Sequence, residues 1–245
     1  NSSAMIAFPV DLVCNAQGGF AGFTMRKVSE HQALHELYSP GARKVAFPKA
    51  DYRFLVRAAA NIARAVAAAH NAGCVIGDIN HSGILVSDKA IAALIDADSF
   101  QITEGSVRYP CKVGVPEYTP PELQGLRLDE VTRTPNHDAF GLAVVIFQLL
   151  WMGRHPFSGR YASGEMPVDK AISEYRFAYS EMRNTGMKAP PAVPALKDFP
   201  RPIAAAFEMA FGPSGITTRP TAKQWVALLG ELERSLRGCA PNALH

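Results

Sequence analysis

Cysteine is scarce in this chain and never closely spaced. The four present, Cys14, Cys74, Cys111 and Cys239, lie far apart with no CxxC among them. That excludes a disulfide framework and a complete zinc site, and it fits a reducing, intracellular setting. Charge is equally sparse: 25 Lys and Arg against 22 Asp and Glu leave a net +3, scattered rather than gathered into blocks. An electrostatic footprint for nucleic acid is therefore missing. The longest apolar run, residues 139–153, contains Gln148 and falls short of the roughly 20 residues a membrane span requires. No signal peptide is found ahead of the first strand-like run, so a cytoplasmic location without a membrane partner is expected. Internal repeats are absent too. What remains is an ordinary globular composition, 48% hydrophobic and 19% charged over 245 residues, sufficient for one substantial core or two lobes.

Along the chain, residues 6–13 and 20–25 are strand-like runs joined by Asn15, Gln17, Gly18 and Gly19, the turn residues of an antiparallel hairpin. A connector follows, with a short helical stretch ended by Pro40 and Gly41. From Asp51 the pattern becomes helical: Leu55, Ala59, Ile62, Val66 and Ala69 recur at spacings of three and four, and Gly73 stands where a left-handed cap belongs. Beyond residue 123 no strands are predicted. The helix over 137–152 is apolar almost all round, which predicts burial on every side. A short helix over 164–177, a proline-rich loop over 185–200, a helix over 201–211 and a last one opening at Thr221, with a T-x-x-Q capping box, complete the order.

The chemistry is concentrated between residues 75 and 123. VIGDINHSGILV (75–86) and LIDADSF (94–100) are each apolar enough for a short strand, and each delivers an aspartate at a strand end; GVPEYTPPEL (114–123) follows. These stretches resemble, in order, the catalytic loop, the metal-binding loop and the end of the activation segment of protein kinases. HDAFGLAVVIFQLLWMGRHPF (137–157) resembles the central helix of that family, and RPT (219–221) its lobe-closing arginine. The wording is closest to bacterial kinases that accompany a PP2C-type phosphatase and a von Willebrand A-type protein in tellurite-resistance-like stress modules.

The resemblance implies an α+β, bilobal kinase-like fold with a truncated N-terminal β lobe. Residues 1–28 would be the hairpin and hinge of the small lobe, 29–237 the mostly helical large lobe, and 238–245 a tail. Asp78 would orient the incoming hydroxyl of a protein substrate and accept its proton, and Asp96, eighteen residues on, would hold Mg²⁺ against the phosphates of ATP. Asn80 stands where a phosphate-contacting lysine is common; it contacts phosphate or metal, or is a polar loop residue. Asp98 replaces the metal-loop glycine and either adds a second metal ligand from the same strand face or caps a turn. The adenine edge would meet the backbone of Met25, Arg26, Lys27 and Val28, with Leu85 as an apolar floor or plain core. Glu122 with Arg219 resembles the buried ion pair that anchors the activation segment, and Asp138 the helix-start aspartate that holds the catalytic-loop backbone.

The departures are equally specific. Gly83 occupies the place of an asparagine on the second metal, and Ile76 and Gly77 replace the usual His and Arg, so switching by a phosphate gripped through that arginine is not expected. The glycine-rich strand pair, the strand lysine and the helix glutamate are not found; Gly18 and Gly19 are turn residues. A transferase of the γ-phosphate of ATP to Ser or Thr therefore competes with a pseudokinase platform that docks a partner phosphatase. Cys239 and His245 form either a frayed tail or half of a zinc ribbon.

Overall fold

Asp51 shows how local chemistry sets this fold: its Oδ1 accepts from the Phe54 amide at 2.8 Å, which caps a twenty-residue helix that runs to Asn71. The computed structural model describes residues 6–238, so Cys239 and His245 lie outside the described residues. In chain order the elements are β1 (Pro9–Cys14), β2 (Phe20–Met25), β3 (His31–Ala33), α1 (Leu34–Tyr38), α2 (Pro40–Ala46), α3 (Tyr52–Asn71), β4 (Ile84–Ser87) and β5 (Ala92–Leu94). They continue with β6 (Ile102–Glu104), β7 (Val107–Tyr109), α4 (Pro135–Leu150), β8 (Arg160–Tyr161), α5 (Val168–Ser173), β9 (Met187–Lys188), α6 (Arg201–Phe211), α7 (Gly215–Thr218) and α8 (Ala222–Ser235). This is an α+β, protein-kinase-like fold.

The predicted hairpin forms, with Cys14 opposite Phe20 and Pro9 opposite Met25. Its turn is closed by Asn15, whose Oδ1 accepts from Gln17 N at 3.0 Å and Gly19 N at 2.8 Å, while Gly18 takes the left-handed conformation. A separate three-stranded antiparallel sheet in the order β3-β4-β5 carries the site. The chain at Ile6 and Ala7 is tied to it by the Ala7 amide, 2.9 Å from Leu94 O.

Helix α3 packs its alanine-rich face against α4 and α8. Small side chains there let the backbones approach. Gly73 adopts φ +79° just past its end, where a side chain would be strained. Helix α4 is buried throughout from Asp138 to Leu150, as its all-round apolarity requires. Phe147 stacks on Trp151 at 4.0 Å between ring centres, and Trp151 stacks on Phe199 at 4.1 Å. These rings fill the centre of the helical core. At α8, Thr221 Oγ1 accepts from Gln224 N at 3.2 Å and Gln224 Oε1 from Thr221 N at 2.7 Å, completing the predicted capping box.

Four local expectations are corrected. Pro40 ends α1 but also opens α2 as its first residue, where a missing amide hydrogen costs nothing. The short strand expected to end at Asp78 does not form, since only Val75 pairs, bridging Gln101 on its own, whereas the strand after the loop does form as β4. Strands do occur after residue 123: β8 pairs with β9, Arg160 opposite Lys188, where a side chain on Gly159 would fall 2.5 Å from Lys188 O. The helix expected over 164–177 is confined to α5, which starts only after Pro167. The hairpin β6–β7, turned at Gly105, was not foreseen. No described helix is long and apolar enough to cross a membrane.

Candidate active site

The loop over 76–83 is held from below by Asp138 at the start of α4. Its Oδ2 accepts from Ile76 N at 2.8 Å, its Oδ1 from Gly77 N at 2.7 Å, and His70 Nε2 lies 2.9 Å from Oδ2. Three donors on one buried carboxylate fix the loop's height above the helix. Gly77 has φ +77°, and a Cβ there would lie 2.5 Å from that of Cys111. Only glycine fits. Burial raises the Cys111 thiol pKa, so it sits as an unreactive packing group.

From this loop Asp78 turns one carboxylate oxygen inward. Oδ1 accepts from Asn80 Nδ2 at 2.9 Å and from Val115 N at 3.2 Å; Oδ2 has no protein donor among the described residues. Asn80 is buried and spends its own Oδ1 on Ser82 N at 2.8 Å and Gly83 N at 3.4 Å. Its side chain is thus committed at both ends to loop structure, which favours the polar-loop role over a phosphate contact.

Asp96 follows β5 after Ile95, exposed and left-handed at φ +60°, and the chain then enters a single 3-10 turn, Ala97–Ser99. That turn breaks the strand alternation on which a shared face for Asp96 and Asp98 depended. Asp78 and Asp96 line one cavity, with Asn80 and Gly83 on its polar side and Ile84 and Leu94 on its apolar side. Asp98 is exposed and outside that lining. No lysine or arginine is among its lining residues.

A second cavity, about 230 Å³, is bordered by Arg26, Lys27, Val28, His31 and Ala93. Met25 instead pairs with Pro9 in the hairpin and stays out of that lining. Leu85 is half-buried on β4 directly opposite Ala93, one position removed from the cavity wall.

Arg219 and Glu122 form a two-pronged pair, Nη1 to Oε1 at 2.6 Å and Nη2 to Oε2 at 2.8 Å. The guanidinium also donates to Ala210 O at 3.2 Å and lies 5.3 Å over the Phe140 ring. Beside the pair, burial pushes the His137 pKa down despite the upward pull of Glu122.

Several residues at the site escaped the sequence reading. His81 Nδ1 meets Tyr118 Oη at 2.7 Å, and that hydroxyl donates to Gln148 Oε1 at 2.9 Å, linking loop, segment and α4. Arg133 and Gln101, both buried, tie the two loops together from behind. Their partners are distant in sequence and mostly backbone atoms, so no local pattern announces them.

His155, in the turn after α4, gives the site a pH signature. Its Nε2–H donates to Glu117 O at 2.9 Å, and its Nδ1 accepts from Phe157 N at 3.2 Å, an arrangement only the neutral ring can make. Burial pushes its pKa down to about 4, below the unfolded value of about 6.5. The unfolded chain therefore binds the extra proton between those values. Stability from this group should be complete above about pH 6.5 and fall toward pH 4, by up to roughly 2 kcal/mol after allowance for its partial exposure. Urea unfolding across that range should show a shallower slope for His155→Gln; identical slopes would remove His155 as the cause.

Comparison with known proteins places this geometry. The protein kinase domain family model matches residues 23–226. Protein kinase YegI of Escherichia coli strain K12 is 40% identical across 98% of this chain, a match covering 38% of that protein. The YegI protein of strain O157:H7 matches to the same extent. Serine/threonine-protein kinase chk-2 of Caenorhabditis elegans is 31% identical across 45% of this chain and 22% of its own length. The chain thus spans less than two-fifths of the length of the YegI proteins it resembles.

Proposed function

The chain belongs to the protein kinase family, and from that premise we propose that it transfers the γ-phosphate of ATP to serine or threonine hydroxyls of a protein substrate. The observation that carries this reading is that Asp78 and Asp96 open onto one cavity. Asp78, with Oδ1 pinned by Val115 N and Oδ2 free, orients the hydroxyl and takes its proton at the free oxygen. Asp96 holds Mg²⁺, which when bound neutralises phosphate charge. The donor set fits such an ion. Asp96 is an exposed carboxylate on the cavity it shares with Asp78, and Mg²⁺ typically uses one or two carboxylates plus waters and phosphates. The second cavity takes the adenine against the backbone of residues 26–28, with Leu85 and Ala93 beneath. Asp98 is left a minor role at the rim.

In this reading residues 1–28 are the edge of a small β lobe and residues 29–237 the large lobe. The finer assignment, a cytoplasmic stress module of the tellurite-resistance type with a PP2C-type phosphatase and a von Willebrand A-type protein as partners, rests on the motif wording alone.

A second reading has its own support. Gly83 lines the cavity without a side chain, Asn80 is spent on its own loop, and among the described residues no lysine or arginine lines the cavity. A pseudokinase that binds nucleotide, or none, and docks a phosphatase would look the same. Melting of the full-length protein decides first. Mg-ATP at 100 times its dissociation constant should add about 2.7 kcal/mol of stability, and Asp96→Asn should reduce the Mg-dependent part. No shift would overturn the transferase reading and leave the scaffold.

A further inference from the structure

Arg133 is the least explicable charge in the molecule on stability grounds. It is 2% exposed, its Nε has no partner, and no carboxylate pairs with it among the described residues. It also lies two residues before the N-terminus of α4, the positive end of that helix dipole. A buried cation in such a place costs several kcal/mol, and an apolar side chain of similar volume would be cheaper.

What the guanidinium does is join two loops. Its Nη1 donates to Gly77 O, the carbonyl immediately before Asp78, and its Nη2 to Val113 O at 3.0 Å. Two residues beyond Val113, the Val115 amide holds Asp78 Oδ1 at 3.2 Å. The contacts close a ring: Asp78, Val115, Val113, Arg133, Gly77 and back to Asp78. Gly114, inside the ring, packs closely under Leu128: a Cβ there would fall 2.6 Å from Leu128 Cδ1, which would have to move aside. Behind it Gln101 grips Arg133 at both backbone atoms, Oε1 accepting from its N at 2.8 Å and Nε2 donating to its O at 2.9 Å. Gln101 in turn pairs with Val75 at the root of the catalytic loop. The Gly77 peptide is thus held by its N–H from Asp138 and by its C=O from Arg133.

We infer that Arg133 is a positioning residue: an internal cation that locks the activation segment against the catalytic loop and sets the Asp78 carboxylate without any phosphate on the segment. This rests on the reading of Asp78 as the group that orients the hydroxyl. The residue before Asp78 that would grip a phosphate is Gly77, and the space beside it is filled by Cys111 and by the Arg133 stem. The hydroxyls of Ser99, Thr103, Ser106, Tyr109, Tyr118 and Thr119 therefore have no switch to throw through that position.

The test is hydrogen exchange on the full-length protein, comparing wild type with Arg133→Met and Arg133→Lys. The amides of residues 112–115 and 76–80 should exchange at least about tenfold faster in Arg133→Met while α4 and α6 stay protected. Arg133→Lys, which can serve one of the two carbonyls, should recover part of that protection. Phosphatase treatment of the wild type should change nothing. Unchanged exchange over 112–115 would overturn the inference, as would loss of protection spread evenly over α4 and α6, or a wild-type segment that becomes protected only when phosphorylated. Should Arg133→Met fail to fold, Arg133→Lys decides alone: faster local exchange supports the lock, and wild-type rates sink it. Exchange needs no turnover, so absence of phosphoryl transfer would count against the proposed function and leave the Arg133 lock between the two loops standing. Where transfer is measurable, kcat should fall about tenfold or more with KM for ATP unchanged.

Discussion

Glu122→Ala should destabilise the fold by about 3–5 kcal/mol, because it strands the fully buried Arg219 guanidinium without its counter-charge. Glu122 sits on the single 3-10 turn Pro121–Leu123 that ends the activation segment, and Arg219 lies just ahead of the Thr221 cap of α8. The pair therefore ties the segment to the last helix of the core. Arg219 keeps its donor bond to Ala210 O in the variant, which limits but does not remove the penalty. The double variant Glu122→Ala/Arg219→Met should be less destabilised than the two single changes added together, since no unpaired charge remains. Urea midpoints with unchanged slopes measure this directly. A loss below about 1 kcal/mol for Glu122→Ala would mean that water screens the pair as it screens surface pairs, and its anchoring role would fall.

Much of this was legible because the signals are local. Helices α3, α4, α6 and α8 follow from apolar spacing, and Asp51 and Thr221 cap α3 and α8 as their types demand. Asp78 and Asp96 line one cavity, Asp138 bonds the 76–83 loop and Glu122 pairs with Arg219, contacts that the order of the motifs already suggests. What was not legible depends on backbone geometry set from a distance. The residues leading into Asp78 read as a short strand by composition, yet Asp138, sixty residues on, claims the Ile76 and Gly77 amides. The left-handed backbone at Asp96 swings Asp98 away from the cavity, and a two-residue periodicity cannot foresee that. Arg133 is invisible for a related reason: carbonyl acceptors carry no sequence signature. Strands β8 and β9 pair only because Gly159 permits the approach.

Phosphoryl transfer should fall by about 10²–10⁴ in Asp78→Asn, the range for losing a positioned acid–base group, while the Mg-ATP melting shift stays close to wild type. The carboxamide keeps an acceptor for the Val115 amide, so the loop should hold its shape and the loss should appear in kcat. Gly83→Asn is the complementary change. A Cβ there would find only Asn80 O, at 4.0 Å, and the backbone is not left-handed, so the substitution starts without a clash at the wall of the cavity that Asp78 and Asp96 share. If the missing side chain limits a working transferase, restoring it should raise the rate, at most by the roughly 10²–10³ that one preorganised group supplies. A scaffold has no rate to raise. Labelled phosphate incorporated equally by wild type, Asp78→Asn and Asp96→Asn would rule out the assignment of either carboxylate to the chemistry, whatever Gly83→Asn does.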